Sequence, residues 1–101
     1  MMKGIWIEAE AWSNGYDIYD ENTDVKVIFE DGTEGVATFI TYKNILSLKE
    51  KNQATGECLN GKYFWARDML LIEDISRKTI TDVVIQLLKD DEFWSVFEKC
   101  N

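Results

Sequence analysis

Hydrophobic residues are densest in Gly61–Ile75, where eight large apolar side chains fall within fifteen positions. A continuous apolar run of this kind, bounded by polar turn residues, predicts a buried strand or a pair of strands. Arg67 and Asp68 interrupt the run, which indicates either a bend or a paired charge at that point. Because a clear helical pattern follows, we expect this segment to contribute a central strand at the junction between sheet and helix.

The helical pattern spans residues 79–90, where apolar side chains recur every three or four positions. Such a stripe is typical of a helix with one buried face. Its members are Ile80, Val83, Val84, Leu87 and Leu88. Thr79 and Asp82 fit a capping box, in which the hydroxyl caps the helix and the acidic side chain reaches back. We expect this helix to begin near Ser76–Thr79 and to lie across one face of a sheet, with a short helix after it near Phe93–Phe97.

Alternation of apolar and polar residues predicts β-structure in the first half of the chain. Over residues 25–42 it predicts a hairpin whose tight turn is Asp31-Gly32, since glycine adopts positive φ without steric cost. Residues 43–53 indicate a short helix or turn, and residues 54–62 a turn-rich connection. Within residues 43–53, we expect the side chains of Ile45, Leu46 and Leu48 to face inward.

The segment 4–12 also alternates, and the two faces of the strand that it predicts differ in character. One face would carry Ile5, Ile7, Ala9 and Ala11, and the other would carry Trp6, Glu8, Glu10 and Trp12. Two tryptophans beside two carboxylates can cover a core edge while the glutamates stay solvated. They can equally form an acidic, aromatic face for a cationic partner, because tryptophan is enriched among the residues that dominate binding energy.

Residues 13–24 predict a loop rich in carboxylates. The acidic residues are Asp17, Asp20, Glu21 and Asp24, with Tyr16 and Tyr19 between them. A calcium loop of the EF-hand type needs a glycine at a set central position, and this segment has none there. The loop is therefore either a solvated surface or part of a binding surface.

Together these patterns predict a single domain, residues 1–101, of the α+β class. We expect a four- to five-stranded, mostly antiparallel sheet with a C-terminal helix packed on one face. A chain of 101 residues buries enough surface to form one core without disulfide bonds.

The net charge narrows the possible partners. Eleven basic and nineteen acidic residues give a net charge of −8. Nucleic-acid binding is disfavoured, because affinity for phosphates depends on clustered Lys and Arg. A basic protein partner is favoured, although the same charge also serves solubility alone. No apolar run approaches the ~20 residues of a membrane span and no signal-peptide pattern is present, so we expect a cytoplasmic protein without membrane attachment.

The sequence has no histidine, which removes histidine-dependent triads and histidine metal sites. Cys58 and Cys100 consequently have no imidazole partner, and we expect both to be free thiols. We therefore expect no cofactor, no metal and no catalysis. The enzymatic alternative is a pair of carboxylates acting as acid and base.

One combination of residues resembles a pattern found in a known group of proteins. It comprises GKYFWARDML at 61–70, then Ile80, Val83 and Val84, then Glu92, Phe93, Val96 and Phe97. From Thr55 onward, about half of the chain, this combination resembles small bacterial immunity proteins of contact-dependent growth inhibition and related polymorphic toxin systems. The resemblance implies a cytoplasmic protein that binds and neutralises a cognate toxin domain, often a nuclease with a basic cleft, by stoichiometric protein–protein inhibition.

An acidic surface would compete for such a cleft and accelerate encounter. The predicted partner-binding residues are, first, Asp17, Asp20, Glu21 and Asp24, and second, Glu8 and Glu10 beside Trp6 and Trp12. Two alternatives remain open at this point. One is an interaction adaptor or regulatory subunit unrelated to toxins, and the other is a small carboxylate-based enzyme.

Overall fold

A computed structural model describes residues 1–100 of the chain. The strands are β1 (Met2–Ile7), β2 (Asn22–Phe29), β3 (Glu34–Thr41), β4 (Met69–Ile72) and β5 (Glu98–Cys100). The helices are α1 (Tyr42–Thr55), the single turn α2 (Glu57–Gly61), α3 (Arg77–Lys89) and the short α4 (Phe93–Val96). A 3₁₀ helix, Glu8–Ala11, follows β1 directly.

The five strands form one sheet in the order β1-β2-β3-β4, and β5 also pairs with β3. The pairs β1–β2, β2–β3 and β3–β5 are antiparallel, whereas β4 runs parallel to β3. The β2–β3 hairpin turns at Asp31-Gly32, where Gly32 has φ of 88°. This arrangement confirms the predicted α+β class and the predicted four- to five-stranded, mostly antiparallel sheet, which has five strands.

The core lies between one face of the sheet and α3. Ile80 and Val84 of the helix are fully buried in one cluster with Val25, Val27, Ala37 and Phe39 of the strands. Phe93 and Phe97 stack at 4.2 Å between ring centroids and close the cluster. Gly35 permits this contact, because a Cβ there would lie 3.0 Å from the Phe93 ring.

The prediction of a central strand within Gly61–Ile75 is wrong. Only Met69–Ile72 is a strand, and it lies at the edge of the sheet because β3 occupies the centre. The aromatic part of the segment is not buried, since Trp65 is 72% exposed and Tyr63 is also exposed. The charged pair in the middle marks a bend, because Asp68 has φ of 49° and a turn precedes the strand.

The main helix begins and ends where it was predicted, but its cap and one member of its buried stripe differ from the prediction. It begins at Arg77, and its N-cap is Ser76, whose Oγ accepts the backbone N–H of Thr79 at 3.2 Å. Thr79 is therefore inside the first turn rather than the cap, and the predicted capping box is wrong. Asp74 supports the cap by accepting the hydroxyls of Ser76 and Thr79. At the other end Leu88 is exposed, so the buried stripe consists of Ile80 and Val84, flanked by the partly buried Val83 and Leu87.

Helix α1 is a full fourteen-residue helix where a short helix or turn was predicted. It begins at the cap Thr41, whose Oγ1 accepts the backbone N–H of Asn44 at 3.1 Å. Little of it is buried, and Leu46, which was predicted to face inward, is exposed. Helix α1 thus projects from the sheet rather than covering it.

The turn α2 is left-handed. Cys58, Leu59 and Asn60 have φ between 50° and 58°, a conformation that costs L-residues roughly 1–2 kcal/mol each. Gly61 follows with φ of 79°, and a Cβ there would lie 2.7 Å from the carbonyl oxygen of Lys49. A glycine at this position is therefore what lets the turn pack against α1.

Candidate partner-binding surfaces

The predicted strand face of Trp6, Glu8, Glu10 and Trp12 does not form. Strand β1 ends at Ile7, and the 3₁₀ helix Glu8–Ala11 turns the next side chains in other directions. The buried Thr23 fixes this bend, because its Oγ1 accepts the backbone N–H of Ala9 at 2.9 Å. Trp6 and Glu8 therefore stay near the end of β1, whereas Glu10 is turned toward Arg77 and Trp12 toward Tyr16.

Glu10 binds Arg77 at the start of α3. The guanidinium donates from Nε to Oε2 at 2.9 Å and from Nη2 to Oε1 at 2.7 Å, and Nη2 also donates to the carbonyl oxygen of Ile5 at 3.0 Å. The hydrogen bonds from Arg77 lower the pKa of Glu10. The same contacts occupy a backbone acceptor of β1, an edge strand whose free groups could pair with another chain. Glu10 thus already has an intramolecular role.

The carboxylates at the centre of the loop hold it against α1. Asp20 accepts hydrogen bonds from Asn44 Nδ2 at 3.0 Å and Ser47 Oγ at 2.9 Å. These two bonds lower the pKa of Asp20. Asp17 accepts the backbone N–H of Tyr19 and lies 3.8 Å from Lys43 Nζ. A charge reversal at Asp20 would consequently perturb the loop itself, and it is not a clean test of binding.

Glu8 and Asp24 are brought together by the structure. Asp24 lies within β2 rather than in the predicted loop, and its backbone N–H donates to Glu8 Oε1 at 3.5 Å. Its side chain accepts the hydroxyl of Thr38 at 3.1 Å. Glu21, just before β2, accepts the backbone N–H of Asn22 at 3.1 Å. Three of the predicted carboxylates therefore lie at one end of the sheet.

The face of the sheet opposite α3, here called the open face, carries side chains that alternate with the core positions. In register across the strands, Trp6 lies opposite Lys26, and Lys26 opposite Val36. In the next row Asp24 lies opposite Thr38, and Thr38 opposite Met69. The remaining members are Gly4, Asn22, Ile28, Glu34, Ile40, Leu71, Glu98 and Cys100. Glu8, in the 3₁₀ helix that follows β1, is counted with this face because it accepts the backbone N–H of Asp24.

Several apolar side chains of the open face are accessible to a partner. Trp6 is 46% exposed, Leu71 43% and Met69 36%, whereas Ile40 is buried. Antiparallel sheets often have one solvated face, and polar side chains normally occupy it. Exposed tryptophan, methionine and leucine on such a face are less usual. The sequence did not indicate that Met69 and Leu71 would be exposed there.

Some charged side chains of the open face form ion pairs and others do not. Lys26 Nζ lies 3.5 Å from Glu34, and Arg67 lies 4.0 Å from Glu98. Among the ion pairs within residues 1–100, none involves Glu8 or Asp24. These two adjacent carboxylates are therefore available to a cation from another molecule.

The surface has two concavities, one of which adjoins the open face at Glu98. Trp12 packs edge-to-face on Tyr16 at 5.2 Å, beside a shallow depression of about 530 Å³ that includes Glu21. A wider groove of about 800 Å³ is lined by aromatic residues and by charges of both signs. These groups are Phe29, Trp94, Phe97, Asp31, Asp68, Glu98, Arg67 and Lys99. Hydrogen bonds from Thr33 lower the pKa of Asp31, whereas a general acid needs a raised pKa.

No protein-family model matches the chain, and neither a curated protein nor a solved structure matches it. Within residues 1–100, no three potential metal-binding side chains are grouped closely enough to hold an ion. None of the helices in that range has the length and apolar character needed to cross a bilayer. Both cysteines, Cys58 and Cys100, are unpaired.

Proposed function

We propose that this chain is an immunity protein that acts in the cytoplasm by binding a cognate toxin domain with a basic surface, such as a nuclease. The observation that carries the proposal is the open face, where Glu8 and Asp24 lie together without a basic partner and Trp6 is exposed in the next row. The sequence resemblance to immunity proteins of contact-dependent systems supports the same function.

Inhibition by this surface would need no chemistry. A net charge of −8 attracts a basic domain over a distance and raises the association rate above the roughly 10⁵–10⁶ M⁻¹s⁻¹ of pairs without steering. A nuclease cleft is basic because it holds phosphates, so a carboxylate surface seated there would compete with the nucleic acid. Binding with one-to-one stoichiometry would then be sufficient for protection.

The test is co-expression of the chain with the toxin domain encoded by the neighbouring gene, followed by size-exclusion chromatography of the two purified proteins. We expect cells to survive and the two proteins to elute as a one-to-one complex. We also expect the association rate to fall as salt is raised, because salt screens exposed charges. Cell death despite abundant soluble protein, with no complex on mixing, would show that the function is not immunity.

A matched pair of charge reversals tests the electrostatic part separately. Glu8→Lys changes an unpaired carboxylate of the open face, and Glu50→Lys makes the same change in charge on the exposed surface of α1. We expect only Glu8→Lys to weaken protection. If binding is independent of salt and of both substitutions, the inhibition remains but the acidic-surface mechanism is wrong. A regulatory adaptor, the alternative, would bind a basic protein without rescuing cells from a toxin.

A further inference from the structure

The two unpaired carboxylates and the exposed tryptophan of the open face lie within reach of one another. Trp6 is directly opposite Lys26, and Asp24 is two residues along β2 from Lys26, on the same face. Diagonal neighbours of this kind in an antiparallel pair lie about 7–8 Å apart, within reach of long side chains. Glu8 is joined to the backbone of Asp24. The three residues therefore border one patch of surface, here called the cation patch.

An arginine side chain fits the chemistry of the cation patch. Its planar guanidinium can donate to carboxylates in a bidentate manner and can stack on an aromatic ring, which a lysine ammonium does less well. Indole is the aromatic group that attracts a cation most strongly. Lys26, the nearest base on this face, is paired with Glu34 and leaves the two carboxylates free.

We propose that the open face is the docking surface for the toxin domain, with an arginine of the toxin held between Trp6, Glu8 and Asp24. This inference rests on the proposed function and identifies the surface that performs it. It assigns the main contact to the sheet rather than to the loop at Asp17 and Asp20, whose carboxylates are engaged with α1 and with the loop itself.

The far side of the open face supplies the apolar part of the contact. Met69 and Leu71 lie on β4, three strands from Trp6, which at a strand spacing of 4.7–4.9 Å is about 14 Å. A partner that contacts both sides therefore presents a broad surface rather than a single side chain. Methionine adapts to irregular surfaces, so Met69 can pack against such a partner.

The negative charge of the chain disfavours a second copy of it as the molecule that binds the open face. Two copies meeting through their open faces would place Glu8 and Asp24 of each in a shared interface, and each chain carries a net charge of −8. Like charges brought together at an interface oppose association. A basic protein surface has the complementary charge, so it is the occupant that the open face fits.

The first experiment measures affinity of purified variants for the toxin domain encoded by the neighbouring gene. Trp6→Ala should weaken binding on the order of 30-fold or more, the effect of truncating a residue that dominates the binding energy. Trp94→Ala is the matched control, since Trp94 is exposed to a similar extent but packs beside Phe29, and the affinity of this variant should stay within about 3-fold of wild type. The pair Glu8→Gln and Asp24→Asn, which keeps side-chain shape, should slow association and reduce its dependence on salt.

The second experiment uses the unchanged protein, so that it does not depend on whether a variant folds. Hydroxyl-radical footprinting with mass spectrometry reports the accessibility of tryptophan and methionine side chains. On addition of the toxin domain, oxidation of Trp6 and Met69 should fall, while oxidation of Trp12 and Trp94 should stay unchanged. All four side chains are exposed in the free protein.

The possible results separate the two proposals. If the wild-type chain and toxin form no complex, the proposed function fails and the docking surface fails with it. If a one-to-one complex forms but Trp6→Ala binds as tightly as wild type, and Trp12 rather than Trp6 is protected, the docking surface alone is wrong. Protection of Trp6 in a dimer of this chain, without toxin, would likewise overturn it.

Discussion

The packing of α3 on the sheet can be tested with two identical substitutions in one helix. Ile80 is 0% exposed, and Ile85, five residues later, is 50% exposed. Both positions are inside the helix, so Ile→Ala changes local helix propensity by the same small amount, in favour of alanine. The difference between the two variants therefore isolates the contribution of burial.

Ile80→Ala should lower the free energy of unfolding by about 2–5 kcal/mol, because it removes buried methyl groups and leaves a cavity between α3 and the strands. Ile85→Ala should change it by less than about 1 kcal/mol, since half of that side chain is already in water. A loss of 3 kcal/mol would lower the melting temperature by roughly 12–24 °C at about 4–8 °C per kcal/mol.

Urea denaturation followed by tryptophan fluorescence and by far-ultraviolet circular dichroism measures this difference, and coincident curves would support two-state unfolding. If Ile80→Ala prevents folding, Ile80→Val provides a smaller step, expected to cost about 0.5–1.5 kcal/mol. Equal losses for Ile80→Ala and Ile85→Ala, within about 0.5 kcal/mol, would show that α3 does not bury the face described here.

Two further predictions concern the turn α2 and the acidic loop. Gly61→Ala should destabilise the protein by more than about 1 kcal/mol, because the new Cβ meets the carbonyl oxygen of Lys49 and the backbone has positive φ. Gly15→Ala is the control and should not destabilise the protein, because a Cβ at that position meets open space. Equal melting temperatures for the two variants would contradict this prediction. Hydrogen bonding lowers the pKa of Asp20, so its stabilising effect should be present above its unfolded pKa of about 3.9 and lost as pH falls through the lower folded value. The stability difference between wild type and Asp20→Asn should therefore be largest near neutral pH and shrink below about pH 4, and a difference independent of pH would refute it.

The parts of the fold that follow local rules could be predicted from the sequence. The Asp31-Gly32 hairpin was identified correctly because a positive-φ glycine between alternating segments has few other solutions. The buried positions Ile80 and Val84 followed from helical spacing alone. Both signals arise from residues within a few positions of one another.

The predictions of the fold that were wrong concern features that depend on residues distant in the sequence. A rich apolar run in Gly61–Ile75 predicted a central strand, but the sequence does not show which strands flank β4, and β4 pairs with β3 alone, which leaves it at an edge. The alternation after Ile7 stops being a strand because Thr23, fourteen residues from Ala9, accepts its backbone N–H. Alternating Glu and Ala fit a helical turn as well as a strand.

The sequence identified several residues of the candidate site but not their partners or their positions relative to one another. The carboxylates of the loop were identified, yet the partners of Asp20 are twenty-four and twenty-seven positions away, so its intramolecular role had no local signal. Met69 and Leu71 alternate with the inward Leu70 and Ile72, which indicates two faces but not what covers each. Only the register of β3 with β2 and β4 places Met69 beside Thr38 and Asp24.

Two strands, β4 and β5, pair with the same edge of β3, and this arrangement has a consequence for synthesis of the protein. Residues 38–41 of that edge pair with β4, while residues 34–36 pair with β5, and Val36 and Glu98 are 62 positions apart. At roughly 5–20 residues per second, a ribosome needs about 3–12 s to make the intervening chain. During that interval, residues 34–36 have β2 on one edge only, and their other edge can pair with a neighbouring nascent chain. The greatest risk of aggregation therefore precedes completion of the sheet, and slow translation after residue 41 would prolong it.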